Sequence, residues 1–204
     1  MIGRRRAGRA SACSLRKDQK GATIVEFAIV APVLIAILVF LFDTGYLLYA
    51  SAILRGEVNA AGRSSTLETA NDTTRADYDA QVSAQVQRLV PHGTVSFTRT
   101  AYNTYGLAQS RAEQFNDTNG NNVCDNGESF VDANFNGRFD LDGGRDGGGG
   151  ARDVVIYTAT LEYDRLFPAD AVLGFDRTVR IDATTLLRNQ PFDAQSVPPT
   201  RTCP

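Results

Sequence analysis

The stretch ATIVEFAIVAPVLIAILVFLFDTGYLLY, residues 22–49, limits the fold more than any other feature of the chain. Phe27 to Phe42 is sixteen residues without a charge, and Thr44 to Leu54 is again uncharged and mostly apolar. A helix on a soluble domain hides one stripe and exposes a polar face. This run has no polar face, and its length satisfies the requirement of about 20 apolar residues for a bilayer core. Tyr46 and Tyr49 close it with rings that favour a membrane interface. Pro32 lies inside it and is expected to kink the helix, because it has no N–H and crowds the preceding turn.

Charge divides on either side of this run. Residues 1–21 carry seven basic side chains against Asp18, a net of +6, so the rest of the chain holds −8 of the overall −2. Basic residues beside an apolar span stay in the cytoplasm. The acidic remainder is therefore expected in the periplasm or outside the cell, as the outer part of a single-pass inner-membrane protein. An acidic outer domain is a poor binder of nucleic acid, which needs a basic surface.

Glu26 is the anomaly, since a carboxylate at the head of a span is costly unless something compensates it. A plain signal anchor leaves Glu26 hydrated near the inner interface. A secretory signal peptide uses Ala50-Ser51-Ala52 as its cleavage pattern and discards Glu26. A third reading accounts for more residues: Gly21 follows a basic leader, Glu26-Phe27 stands five residues on, and the apolar helix follows. That arrangement resembles type IV prepilins, in which a prepilin peptidase cuts after the glycine. The resemblance implies a cut between Gly21 and Ala22, with Glu26 the fifth mature residue, paired to the new amine of a neighbouring subunit. Two opposite charges entering an apolar bundle cost less as a pair.

The resemblance narrows further. Gly21, Val25-Glu26-Phe27, Ala31-Pro32-Val33-Leu34, Asp43 and Ala60-Ala61-Gly62-Arg63 together are similar to the TadE-like family, minor pseudopilins of tight-adherence (Tad/Flp) type IVb pilus systems. It covers roughly residues 21–65 and implies work in assembling or initiating an adhesive pilus. It also implies four kinds of partner: prepilin peptidase, a major Flp-type pilin, other pseudopilins and the inner-membrane assembly platform. Incorporation into the extracellular fibre is left open. The alternative is a membrane-anchored calcium-binding surface protein that never joins a pilus.

An α+β domain is expected beyond the span, so the chain divides into a cleaved leader (1–21), a membrane and stalk helix (22–65) and an outer domain (66–204). Leu47, Ala50, Leu54, Val58 and Ala61 recur at helical spacing and extend the first helix. A second helix is expected over Thr74–Val90, with Asn71-Asp72-Thr73 for its cap, Tyr78, Val82, Val86 and Leu89 on one face, and Pro91 as its stop. Thr94–Ala101, Asp153–Tyr163 and Thr178–Leu186 have strand patterns, and three or more antiparallel strands packed on a helix make a small α+β domain. GGRDGGGG, Gly143–Gly150, is expected as a flexible linker or loop, and the tail from Gln190 as irregular.

The insertion at about 117–143 has the chemistry of calcium loops. Asp117, Asn119, Asn121, the Val123 carbonyl, Asp125 and Glu128 stand at positions 1, 3, 5, 7, 9 and 12 of such a loop. Asp132, Asn134, Asn136, the Arg138 carbonyl and Asp140 repeat positions 1, 3, 5, 7 and 9. Oxygen donors at alternating positions wrap a hard cation. Gly137 and Asn122 occupy position 6, where a positive φ is needed and Asn is tolerated. Position 12 of the second loop is Gly143, with Asp142 as the candidate substitute. The expected cofactor is structural Ca2+; the competing reading is an Asn/Asp/Gly-rich loop that only makes turns.

Cys13 lies in the leader, which leaves Cys124 and Cys203 as an even pair in an oxidising compartment. Their disulfide would close a loop worth about 4 kcal/mol in the chain-entropy account. With His92 the sole histidine, the usual nucleophile–base constellations lack parts, and the chain is expected not to be an enzyme.

Overall fold

The structure is a computed structural model and describes residues 20–66, 72–167, 174 and 176–203. The leader before Lys20, with Cys13, and the expected cap residue Asn71 lie outside the described residues. The chain divides into two compact units, residues 1–45 and 46–204.

Helix α1, Lys20–Ser65, runs for 46 residues and continues through Pro32. In the first unit its side chains face outward on nearly every side, Ile24, Phe27, Ile29, Val33 and Phe42 among them. From Thr23 onward this helix is long and apolar enough to cross a membrane.

In the second unit the last turns of α1 become one-sided. Ala50, Leu54, Val58 and Ala61 are buried at spacings of three and four, while Arg55, Asn59 and Arg63 face solvent. Helix α2, Asp72–Leu89, adds Val82 and Val86 to the same core and ends two residues before Pro91. Both helices cover one face of a four-stranded antiparallel sheet of order β3-β1-β4-β5. Its strands are β1 (Thr94–Tyr102), β3 (Arg145–Asp146), β4 (Val154–Asp164) and β5 (Thr178–Arg188). Alternation places Tyr157, Ala159, Leu161 and Tyr163 of β4 and Val179, Ile181 and Ala183 of β5 under the helices. The opposite face bears hydroxyl and charged pairs: Thr158 with Thr184 at 2.9 Å, and Thr160 donating to Asp182 at 2.6 Å.

A half-buried ionic knot ties α2 to the sheet. Arg99 on β1 grips Asp79 through both carboxylate oxygens at 2.7 and 2.6 Å, and Tyr157 Oη donates to the same group at 2.6 Å. The Arg99 guanidinium also lies 4.2 Å from the centre of the Tyr157 ring.

Two expectations change here. GGRDGGGG is not a free linker, since Arg145-Asp146 forms β3 against Thr100 and Ala101 of β1. Asn189 then pins the glycines by donating to the Gly148 and Gly150 carbonyls at 2.7 and 2.8 Å. A side chain at Gly144 would come within 2.3 Å of Thr100, so that glycine permits the close approach of β3. The tail is not wholly irregular either: Thr200–Thr202 forms β6, paired antiparallel with β2, Ser129–Val131. A short helix α3, Tyr105–Ser110, packs Leu107 and Ala108 with Tyr102, Ala133 and Val154 in a second small core.

Leu54 is fully buried in the main core, whereas Leu141 is 79% exposed. Leu54→Ala is expected to cost about 2–5 kcal/mol of unfolding free energy, and Leu141→Ala less than about 0.5 kcal/mol. Denaturant unfolding of the detergent-solubilised chain measures both.

Candidate functional site

The insertion between α3 and β3 folds into two loops of one design. In the first, the Asp117 carboxylate accepts the amides of Gly120, Asn121 and Asn122 at 2.7, 3.2 and 2.8 Å. In the second, Asp132 accepts those of Asn136 and Gly137 at 3.0 and 2.9 Å. Position 1 thus caps the amides of positions 5 and 6 in both. Position 6 has a positive φ in each, 59° at Asn122 and 82° at Gly137, as the sequence suggests. Position 4 does as well, 75° at Gly120 and 65° at Phe135, so a bulky residue here holds a conformation that normally favours glycine.

The remaining bonds repeat in the same register. The side-chain NH2 groups of Asn119 and Asn121 converge on Asp125 Oδ2 at 2.8 and 2.6 Å. Those of Asn134 and Asn136 converge on Asp140 Oδ2 at 2.9 and 2.6 Å. At position 7, the Val123 and Arg138 amides donate to Asn121 and Asn136 Oδ1, each at 2.8 Å. Glu128 closes the first loop: Oε1 accepts from Thr118 N at 2.8 Å and Oε2 from Asp125 N at 3.0 Å. It therefore ties position 2 to position 9.

The twelfth-position carboxylate missing from the second loop comes from elsewhere in the chain. Glu113 Oε1 accepts from Ala133 N at 2.7 Å and Oε2 from Asp140 N at 3.0 Å, the same two positions. Asp142, the substitute suggested by the sequence, is engaged differently. It accepts from Tyr102 Oη at 2.9 Å and pairs with Arg111 at 3.4 Å. Glu113 precedes the loop it serves, so counting along the motif cannot find it. Its signals are structural: Glu113 is 3% exposed, and no salt bridge to it is observed among the described residues.

The carboxyl groups respond to these surroundings. Burial pushes Glu113 above the ordinary glutamate range, with its amide donors opposing the rise. Amide donors hold Asp117 and Glu128 below their usual ranges, and the Asn134 and Asn136 side chains do the same for Asp140. Among the described residues, no group of three His, Cys, Asp or Glu side chains is placed to hold a metal ion. Each loop offers three carboxylates, two asparagines and one backbone carbonyl as oxygen donors.

The C-terminal segment fastens both loops. Cys203 forms a disulfide with Cys124 at position 8 of the first loop, with Cα atoms 5.7 Å apart. At position 8 of the second loop stands Phe139, whose ring packs edge-on against Phe115 and Phe130. Arg201 on β6 donates from Nε to the fully buried Asp132, so it neutralises the second loop's first carboxylate.

Glu26, the other residue marked by the sequence, lies on the exposed surface of α1 in the first unit. Gly21 and Ala22 fall within the first turns of that helix.

Residues 21–63 match the family model described as TadE-like protein. No curated protein and no solved structure matches the chain. The family match covers α1 and leaves the sheet and both loops outside it.

Removing Glu113 leaves the Ala133 and Asp140 amides without their acceptor, a loss of about 1–3 kcal/mol per buried group. Glu113→Ala is expected to speed amide hydrogen exchange across 129–143, and Glu128→Ala across 117–128. Exchange mass spectrometry of the two variants measures this; unchanged protection of 129–143 in Glu113→Ala would contradict the clamp.

Proposed function

From the match of its N-terminal helix to TadE-like proteins, we propose that this chain is a minor pseudopilin of a Tad-type pilus system. It inserts through α1 with its leader in the cytoplasm and its sheet domain in the periplasm, and prepilin peptidase trims it after Gly21. The observation that carries the reading is the family match over residues 21–63, beginning at that glycine and containing Glu26. After trimming, Ala22 bears the new ammonium, and Glu26 pairs with the amine of a neighbouring subunit. The pair sets the axial register of one helix against the next, because either charge alone is costly among apolar side chains. The chain is then a substrate of the peptidase and carries out no chemistry of its own. Its partners are the major pilin, other pseudopilins and the assembly platform.

The two loops are proposed to hold structural Ca2+. Asp117, Asn119, Asn121, Asp125, the Val123 carbonyl and Glu128 form one donor set. Asp132, Asn134, Asn136, Asp140, the Arg138 carbonyl and Glu113 form the other. Support comes from the shared register of the loops and from a carboxylate in each, Glu128 or Glu113, that accepts the amides of positions 2 and 9 through its two oxygens. Binding requires the four asparagine side chains to turn their oxygens inward, replacing the NH2 contacts to Asp125 and Asp140. Arg201 already compensates Asp132, so the first loop is the stronger site. Loops of this kind in extracellular modules bind in the range of about 10⁻⁴–10⁻³ M. Because the loops lie beyond the matched segment, the second reading is a membrane-anchored calcium-binding surface protein outside any pilus.

The mature N-terminus separates these readings. Sequencing from cells with prepilin peptidase is expected to give Ala22, and from cells without it the intact leader. Glu26→Ala is expected to abolish surface pili while the protein accumulates normally. Piliation unchanged in that variant would remove the pseudopilin reading, and a start at Ile53 would mean a secreted protein. Separately, millimolar calcium is expected to raise the melting temperature of the wild type, with the increase lost in Asp117→Ala combined with Asp132→Ala.

A further inference from the structure

We propose that Asn126 is a site of covalent self-modification: its side chain closes on the Gly127 amide and reopens as isoaspartate, which releases the first loop from its glutamate clamp. Asparagine is a thermally labile residue, and a following glycine puts no side chain in the way of ring closure. The chain has three such pairs, Asn119-Gly120, Asn126-Gly127 and Asn136-Gly137, and all six residues are exposed. Exposure therefore does not distinguish them. Ring closure needs two free partners, the glycine amide as nucleophile and the asparagine side-chain carbon as its target. At Asn119-Gly120 both are held. The Gly120 amide donates to Asp117 at 2.7 Å, while the Asn119 side chain donates to Asp125 and accepts from the Asn121 amide at 2.8 and 3.0 Å. The pattern repeats at Asn136-Gly137. The Gly137 amide donates to Asp132 at 2.9 Å, and the Asn136 side chain is engaged by Asp140 and the Arg138 amide at 2.6 and 2.8 Å. Asp142-Gly143 and Asp146-Gly147 can close the same ring, but the Gly143 and Gly147 amides donate to the Arg111 and Arg99 carbonyls at 2.8 and 2.9 Å. At 126–127 neither partner is held: among the described residues, the Gly127 amide and the Asn126 side chain make no hydrogen bond. Gly127 has a φ of 98°, and a side chain there would meet nothing within 4 Å, so the turn is open around the reacting atoms.

The step balances without a cofactor. The Gly127 nitrogen bonds to Asn126 Cγ, and the side-chain nitrogen leaves as ammonia, carrying off the amide hydrogen. Water then adds to one carbonyl of the five-membered ring and breaks its bond to nitrogen. Opening at Cγ gives aspartate. Opening at the main-chain carbonyl gives isoaspartate, whose chain runs through Cβ and Cγ and is one atom longer. Either product carries one more negative charge beside Asp125 and Glu128. The extra chain atom has the larger effect. Residue 126 lies in the turn that Glu128 N closes by donating to the Asp125 carbonyl at 3.0 Å. Glu128 holds the Thr118 and Asp125 amides together from the end of that turn. Lengthening the turn draws Glu128 off this pair. The second loop is closed by Glu113, which lies outside the altered stretch, so it keeps its clamp.

The full chain in detergent, with a chelator present, would be aged in mildly alkaline buffer beside a sample reduced and unfolded in guanidinium. Fragment mass spectrometry after acidic digestion reads conversion at each asparagine. In the unfolded sample the three sites are expected to react within a few-fold of one another. In the folded chain Asn126 is expected to react about tenfold or more faster than Asn119 and Asn136, which react only through local opening. Equal rates at the three sites of the folded chain, or Asn126 slowed as much as the other two, would overturn the proposal. Amide exchange of the aged chain is expected to quicken over 117–128 and not over 129–143. Asn126→Gln, whose ring closes far more slowly, is expected to age without that change. Unchanged exchange over 117–128 once Asn126 is converted, or equal quickening over both stretches, would contradict release of the clamp.

Discussion

The sheet domain depends on a single line of contact, the stripe Ala50, Leu54, Val58 and Ala61 lying on Tyr157, Ala159, Leu161 and Tyr163. A four-stranded sheet with one apolar face must cover that face, and α2 alone contributes only Val82 and Val86 as fully buried side chains. The rest of the cover comes from α1. Ala50 and Ala61 flank the fully buried Leu54 and Val58 along that line. Burying each large apolar side chain is worth about 1.5–3 kcal/mol. One continuous helix therefore carries two surface patterns. Its first half is apolar nearly all round and long enough for a bilayer, and its second half is apolar on the side that joins the core.

A second organisation sits at the far side of the sheet. Gln114, Asn116, β2 and β6 exchange backbone bonds, so the two loops are joined through a short strand where helices would stand in a full EF-hand pair. The disulfide of Cys203 and the Arg201 contact place covalent and ionic ties from the C-terminal segment onto both loops. The insertion thereby becomes part of the domain's second core, through Ala133. The repeated bonding pattern, with Glu113 standing in for a twelfth residue, points to two copies of one loop adapted to different surroundings. The first copy is closed by its own glutamate and a disulfide, and the second by a borrowed glutamate and an aromatic cluster.

Much of this was legible before the structure. Periodicity placed α1, α2 and the three long strands within about two residues, because each has one buried face and the burial period is written in the side chains. The loops were legible for another reason: their ligand-type residues alternate in a fixed register, and the turns at Asn122 and Gly137 need particular residues. The pairing of Cys124 with Cys203 followed from counting. Short elements were not legible. β3 has two residues and β6 three, too few for a period to show, and both exist because a partner strand offers open backbone groups. Glycine content suggested flexibility at Gly143–Gly150, yet there the glycines allow close packing that Asn189 then locks.

Residue order alone specifies an apolar helix long enough for a bilayer, a carboxylate at its head, an α+β domain after it, and two oxygen-rich loops. Those properties are local, carried by residue type and spacing. Packing is what brings Glu113 to the second loop, turns Asp142 to Tyr102 and Arg111, and sets Arg201 against Asp132. Each of these joins residues far apart in the chain, and such pairs meet only when the sheet register and the helix direction are fixed together by packing.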